Sequence, residues 1–259
     1  MDFRFNKDLA HGYNSKSQIV RILTESWVVD NLYCPRCGNS HIEHFPNNRA
    51  VADFYCPVCQ SEYELKSKSG AIGHKIPDGA YDTFIQRITS NNNPDFFILS
   101  YNPVELCVEN LWIVPRHFFI PSIVEQRKPL SPNARRAGWV GCNILFDQIP
   151  KQGQICMILN RVPVRKNVVV SQVQQSELLS TNDIDARGWL MDVLSCINQI
   201  SNNPFTLDEV YEFEKRLSMK HPYNHNIRPK IRQQLQILRN KGFLEFVNRG
   251  IYRKKNTDF

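Results

Sequence analysis

The sequence predicts a mixed α/β domain carrying a four-cysteine zinc site, followed by a small winged-helix domain. Three observations predict it. Two Cys-x₂-Cys pairs, Cys34 with Cys37 and Cys56 with Cys59, lie 18 residues apart. Asp53 stands eleven positions ahead of Glu64-Leu65-Lys66. From position 221 onward nine basic residues face only Glu245 and Asp258, so this segment carries the whole net charge of +7, and residues 1–220 are balanced at 23 of each sign.

A composition of 42% hydrophobic and 22% charged residues is that of a globular protein and excludes disordered or collagen-like chains. No apolar run reaches membrane-span length and the first residues lack a signal-peptide layout, so a cytoplasmic protein is expected. In a reducing compartment the eight cysteines are not a disulfide framework, and Cys107, Cys142, Cys156 and Cys196, set among apolar neighbours, are expected in the core.

The first helix is expected from residue 17 to about 31, with Ile19, Val20, Ile22, Leu23, Trp27 and Val28 at helical spacing. Residues 34–68 alternate like strands. Asp78-Gly79 is expected to open a helix in which Tyr81, Phe84, Ile85 and Ile88 share a face. Strands are expected at 95–101, 111–114, 155–159 and 168–170. Between Pro121 and Asn143, residues 127–141, which contain Pro and Arg and follow neither period, read as a loop.

A polar stretch at 180–187 divides the chain into expected domains of 1–182 and 183–259. Beyond it, Trp189, Leu190, Val193, Leu194 and Ile197 mark one helix. The capping box Thr206-Leu207-Asp208-Glu209 opens a second, with Val210, Phe213 and Leu217 inward. A third runs from about 227 to 241 and stops at Gly242. Two short strands then flank Asn248-Arg249-Gly250. Three helices and a hairpin are the winged-helix plan.

The two cysteine pairs have the spacing of two knuckles converging on one tetrahedral zinc ion. Four thiolates close the coordination sphere, so Cys34, Cys37, Cys56 and Cys59 predict a structural Zn²⁺ rather than a catalytic one.

In the run after the second pair, strand alternation puts Glu62, Glu64 and Lys66 on one face. If residues 56–59 turn a hairpin, Asp53 falls opposite Glu64. Two carboxylates and an ammonium at one place suit metal-assisted phosphodiester hydrolysis. Asp53, Glu64 and the Leu65 main-chain carbonyl would hold Mg²⁺, and Lys66 would orient or help deprotonate the attacking water. An exposed strand of alternating charge is the bland alternative.

On the third C-terminal helix, Ile227, Ile231, Leu235 and Leu238 form the apolar stripe, and Arg232, Gln233, Gln236 and Asn240 face away. Amide and guanidinium groups of this kind pair with base edges in the major groove, while Arg228, Lys230 and Arg249 are set to hold phosphates. A zinc-containing winged-helix regulator without nuclease activity would share these features.

The sequence resembles the DpnI family of adenine-methyl-directed restriction endonucleases over nearly its full length. The resemblance runs through residues 20–25, the cysteine pairs, Val51-Ala52-Asp53-Phe54-Tyr55-Cys56, Glu64-Leu65-Lys66-Ser67-Lys68, Asp78-Gly79-Ala80-Tyr81, Arg127-Lys128-Pro129-Leu130, Ala134-Arg135-Arg136-Ala137-Gly138-Trp139 and residues 230–236. It implies a PD-(D/E)xK restriction-endonuclease-like mixed sheet with an inserted zinc site, then a winged helix. It also implies type II double-strand cleavage at N6-methylated GATC, with Asp53, Glu64 and Lys66 as the catalytic set, and a monomer in solution. Ala52 departs from the proline of the PD-(D/E)xK pattern, but proline is not a ligand.

One buried methyl is worth only on the order of 0.8 kcal/mol, so sharp methyl discrimination needs several contacts multiplied together. Trp139, beside Arg135 and Arg136, is a candidate apolar sensor.

Overall fold

The computed structural model describes residues 1–46, 52–90 and 92–255. Val51 of the resembling segment, Asp258 of the charge count and the end of the expected second domain lie outside them. In chain order the elements are α1 (Lys16–Asn31), β1 (Glu43–His44), β2 (Phe54–Tyr55), β3 (Glu62–Ser69), β4 (Lys75–Ala80), α2 (Tyr81–Ile88), β5 (Asp95–Asn102), β6 (Cys107–Val114), β7 (Val124–Gln126) and β8 (Gly141–Leu145). They continue with β9 (Ile155–Leu159), β10 (Val162–Pro163), α3 (Lys166–Ser176), α4 (Ile184–Gln199), β11 (Phe205–Thr206), α5 (Leu207–Tyr211), α6 (Glu214–Lys220), α7 (Ile227–Asn240), β12 (Leu244–Asn248) and β13 (Ile251–Lys254).

A seven-stranded mixed sheet runs β1-β2-β3-β5-β6-β9-β10, parallel at β3/β5 and antiparallel elsewhere. Alternation along its strands gives it two apolar faces. Phe97 and Leu99 of β5 pack with Leu23, Trp27 and Val28 of α1 and with the cysteine knuckles. Phe96 and Ile98 point the other way, into a core shared with α2, α4 and α7.

A second sheet, β4-β8-β7, lies on that other side, and its Ile76 and Ile144 join the same core. The third sheet, β11-β13-β12, is the wing beside α5, α6 and α7. The mixed α/β class, the cysteine cluster and the C-terminal helical domain are therefore those expected. Among the described residues no helix is long and apolar enough to cross a membrane.

Three local expectations are corrected. Residues 168–170 are helical within α3, because Val169 and Val173, four apart, both bury against the sheet, and packing overrides the strand preference of β-branched residues. Asp78-Gly79 does not open a helix. Both lie in β4, where Asp78 pairs with Cys142, and α2 begins at Tyr81. The side chain of Asp78 is engaged by a buried lysine rather than serving as a cap.

The expected loop over 127–141 is irregular from 127 to 140, between β7 and β8, with Gly141 alone taken into β8. The second C-terminal helix is broken into α5 and α6 at Phe213. Its capping box forms as expected: the Thr206 hydroxyl accepts from the Glu209 N–H, and Glu209 accepts from the Thr206 N–H.

Candidate active site and nucleic-acid interface

The hairpin of β2 and β3 turns through the second cysteine pair. Phe54 pairs with Tyr63 and Tyr55 with Glu62, and the Asp53 N–H donates to the Tyr63 carbonyl at 2.9 Å. This register brings Asp53 beside β3 at the level of Glu64 and Leu65. Its Oδ2 accepts from the Leu65 N–H at 2.7 Å rather than contacting Lys66.

The Lys66 ammonium donates to Glu64 Oε1 at 2.6 Å and to Asp78 Oδ1, while Arg87 of α2 lies 2.8 Å from Glu64 Oε2. Two cations and two carboxylates thus interlock where β3, β4 and α2 meet. The side chains of Glu64 and Lys66 are 15% and 14% exposed, so these are desolvated charges rather than a solvated strand face.

Burial pushes the Glu64 carboxyl up despite Lys66 and Arg87. Burial also raises Asp53, against the opposing hydrogen bond from Leu65. Burial alone would lower Lys66, but Glu64 and Asp78 outweigh it and its affinity for the proton is raised. Lys66 is therefore held as an ammonium.

The residue chemistry fits a hard divalent cation. Asp53 and Glu64 are carboxylates whose charge burial disfavours, and a cation would relieve that cost. Each carboxylate offers about four lone-pair sites, of which the contacts above fill only part.

The second candidate centre is the cysteine cluster, whose four Sγ atoms lie within 4.8 Å of one another. Cys34 and Cys59 are 3.6 Å apart, as are Cys37 and Cys56. A tetrahedral zinc with Zn–S bonds of ~2.3 Å has sulfur–sulfur edges of roughly 3.8 Å, so the cluster is compatible with that ion. Burial pushes the Cys34 and Cys56 thiols up. For Cys59 burial is outweighed by hydrogen bonds with Ser61 and neighbouring thiols, and it falls to about 7.

Two side chains tie this cluster to the sheet. The Tyr63 hydroxyl, fully buried on β3, sits 3.0 Å from Cys34 Sγ. Arg36, inside the first knuckle, donates to Asp95 Oδ2 at 3.1 Å and to Glu177 Oε1 at 2.8 Å. Asp95 in turn accepts from the Arg116 N–H at 2.9 Å.

On α7, Ile227, Ile231, Leu235 and Leu238 are buried, and Arg232, Gln233, Gln236 and Asn240 are exposed. Not all the expected cations are free. Arg228 pairs with Glu214 at 2.8 Å and stacks on Tyr211, and Arg232 donates to the Tyr211 hydroxyl at 2.8 Å. Lys230 lies over the Trp189 ring, and Arg249 is exposed at the wing turn.

Arg135 and Arg136 are exposed on the β7–β8 loop, with the Arg136 guanidinium 4.5 Å from the centre of the half-buried Trp139 ring. That ring lies against Gly141, where a Cβ would come within 2.7 Å of it. The loop springs from β8, the neighbour of Asp78 in β4.

Asp78 and Arg87 were not expected as site residues. A sequence signal existed for Arg87, a cation on the apolar stripe between Phe84 and Ile88. Asp78 gave none beyond its place in a resembling segment, because its partner is twelve positions away on another sheet.

Fold and site together are a mixed sheet with a carboxylate–lysine strand beside a four-cysteine cluster, followed by a C-terminal winged-helix domain. The family model described as DpnI, Dam-replacing family, matches residues 1–182, and the one described as DpnI_C, Dam-replacing HTH domain, matches residues 185–254. The chain belongs to this DpnI family of methyl-directed restriction enzymes.

Proposed function

We propose that this protein is a Mg²⁺-dependent type II endonuclease that cuts double-stranded DNA at N6-adenine-methylated GATC, acting in the cytoplasm and as a monomer in solution. The observation that carries the chemistry is the Lys66 ammonium held 2.6 Å from Glu64, on the strand whose Leu65 N–H binds Asp53. The family supports the target. On this reading residues 1–182 form the nuclease domain, with zinc at Cys34, Cys37, Cys56 and Cys59, and residues 183–259 the DNA-binding domain.

Asp53, Glu64 and the Leu65 carbonyl would hold the Mg²⁺, which when bound neutralises the scissile phosphate and lowers the cost of ionising water. Hydrolysis joins the water oxygen to phosphorus and breaks the bond to the leaving sugar oxygen, which takes up a proton. Lys66, an ammonium between carboxylates, acts as a donor that orients the water and the phosphate oxygens rather than as a base. Its buried setting makes such a contact stronger than in water.

Arg135, Arg136 and Trp139 on the β7–β8 loop, with Gln233, Gln236 and Asn240 on α7, form the readout surface in this proposal. Arg228, Lys230, Arg232 and Arg249 flank it toward the phosphates. The half-exposed face of Trp139 is the apolar surface offered to the methyl group.

The test is digestion of one GATC-containing plasmid, prepared methylated, hemimethylated and unmethylated, with the purified chain and Mg²⁺. Cutting confined to methylated GATC is expected. Equal cutting of all three removes the methyl-sensing account, and binding without cutting turns the chain into a regulator.

A further inference from the structure

Asp78 stands outside the Asp-Glu-Lys set and comes from a different sheet. Its side chain is 7% exposed, its Oδ1 accepts from Lys66 and from the Gly79 N–H at 2.6 Å, and its Oδ2 is buried without a hydrogen-bond partner among the described residues. Burying a carboxylate with one oxygen unsatisfied is unfavourable, and no apolar packing requires it at this position. Its return is the Lys66 contact.

The register places it there firmly. Asp78 pairs with Cys142 across β4 and β8, the last pair before the register shifts between Asp78 and Ala80, so its backbone is held by a strand ladder rather than by a loop. Glu64 has two cations to satisfy, Lys66 at one oxygen and Arg87 at the other. If Glu64 also serves the chemistry proposed above, it is a shared anchor for Lys66, whereas Asp78 contacts no other side chain among the hydrogen bonds and ion pairs described.

We infer that Asp78 is a positioning residue for DNA cleavage: from the second sheet it holds the Lys66 ammonium in place while Glu64 is engaged by the reaction. The inference rests on the nuclease reading and adds a fourth residue to its set. Acting through Lys66, Asp78 contributes to the rate and not to DNA affinity.

The experiment compares full-length wild type, Asp78→Asn, Lys66→Ala and the double variant on methylated GATC DNA, under single-turnover conditions with Mg²⁺, alongside DNA affinity and melting temperature. Asp78→Asn is expected to slow cleavage by about ten- to a hundred-fold, the scale of a displaced catalytic group, with affinity within two-fold of wild type. The double variant is expected to cut no more slowly than Lys66→Ala alone, because the two residues act as a unit. Asp78→Glu, which keeps the charge, is expected to recover part of the rate.

A wild-type rate in Asp78→Asn, or penalties that multiply in the double variant, overturns the inference. So does a fall in affinity that accounts for the slower cutting. If Asp78→Asn does not fold, Asp78→Glu decides: a well-folded variant without any change in rate is equally fatal. A wild-type chain that does not cut, or a Lys66→Ala variant that cuts as fast as wild type, removes the nuclease reading itself and this inference with it.

Discussion

The two faces of β3 are built from alternate residues of one strand and do different work. On one side Tyr63 is buried and Leu65 half-buried against α1, Phe97 and the cysteine knuckles, and the Tyr63 hydroxyl reaches Cys34. On the other, Glu64 and Lys66 meet Asp78 and Arg87 in an ionic cluster walled by Phe96. The first face fixes where the strand lies and the second uses the position. Damage to the first should therefore appear as lost stability, and damage to the second as lost rate.

The largest expected effect lies on the first face. Removing zinc, by chelation or by Cys56→Ser, should cost on the order of 5 kcal/mol, less than the ~10 kcal/mol or more that zinc supplies to an isolated finger because Cys34 and Cys56 already sit in a packed core. At about 2–4 °C per kcal/mol the melting temperature should fall by roughly 10–20 °C. A demonstrably zinc-free chain with unchanged melting would falsify the structural role.

Next comes the second face. Lys66→Ala should lower the cleavage rate about a thousand-fold, with a fall in melting temperature, from the stranded Glu64 and Asp78 carboxylates, smaller than that on zinc removal. If the rate survives and the melting temperature collapses, the two faces have been assigned the wrong way round.

A pH dependence sharpens the same contrast. His117, packed near Asp95 and Arg36, has its pKa lowered to about 3, chiefly because burial disfavours the imidazolium. The unfolded chain takes up this proton below about 6.5, and the folded one does not until about 3. The unfolded state therefore binds more protons in that window, and stability is lost as the pH falls through it. His117→Gln should lose less stability than wild type between pH 6.5 and 4.5 in denaturant titrations; equal losses in both proteins would remove the explanation.

The smallest effect is expected for Tyr63→Phe. Losing one buried hydrogen bond costs about 1 kcal/mol, or some 2–4 °C, with little change in cleavage rate. A Tyr63→Phe protein of normal melting temperature and greatly reduced rate would show that the Cys34 contact tunes the opposite face.

The same contrast explains how much was legible in the sequence. Asp53 could be placed beside the strand of Glu64 and Lys66 because a hairpin turn only a few residues long sets their register, and the cysteine spacing is equally local. Residues 168–170 misled because β-branched composition says strand, while the burial of Val169 and Val173 is decided by a sheet assembled from distant segments.

Asp78 and Arg87 were missed as site residues for that reason too. Each meets Lys66 or Glu64 only after β4 and α2 have folded back over β3, and no short-range pattern encodes that crossing. Arg36 likewise looks like a spacer between cysteines until Asp95 and Glu177 arrive to receive it.

In α4, every residue from Trp189 to Ile197 is buried, packed between the β5 side of the sheet and α7. This core joins the sheet to α7, although the segment leading into α4, 182–185, is exposed. On the proposed reading, the span between α7 and Lys66 is set by side chains packed in that shared core.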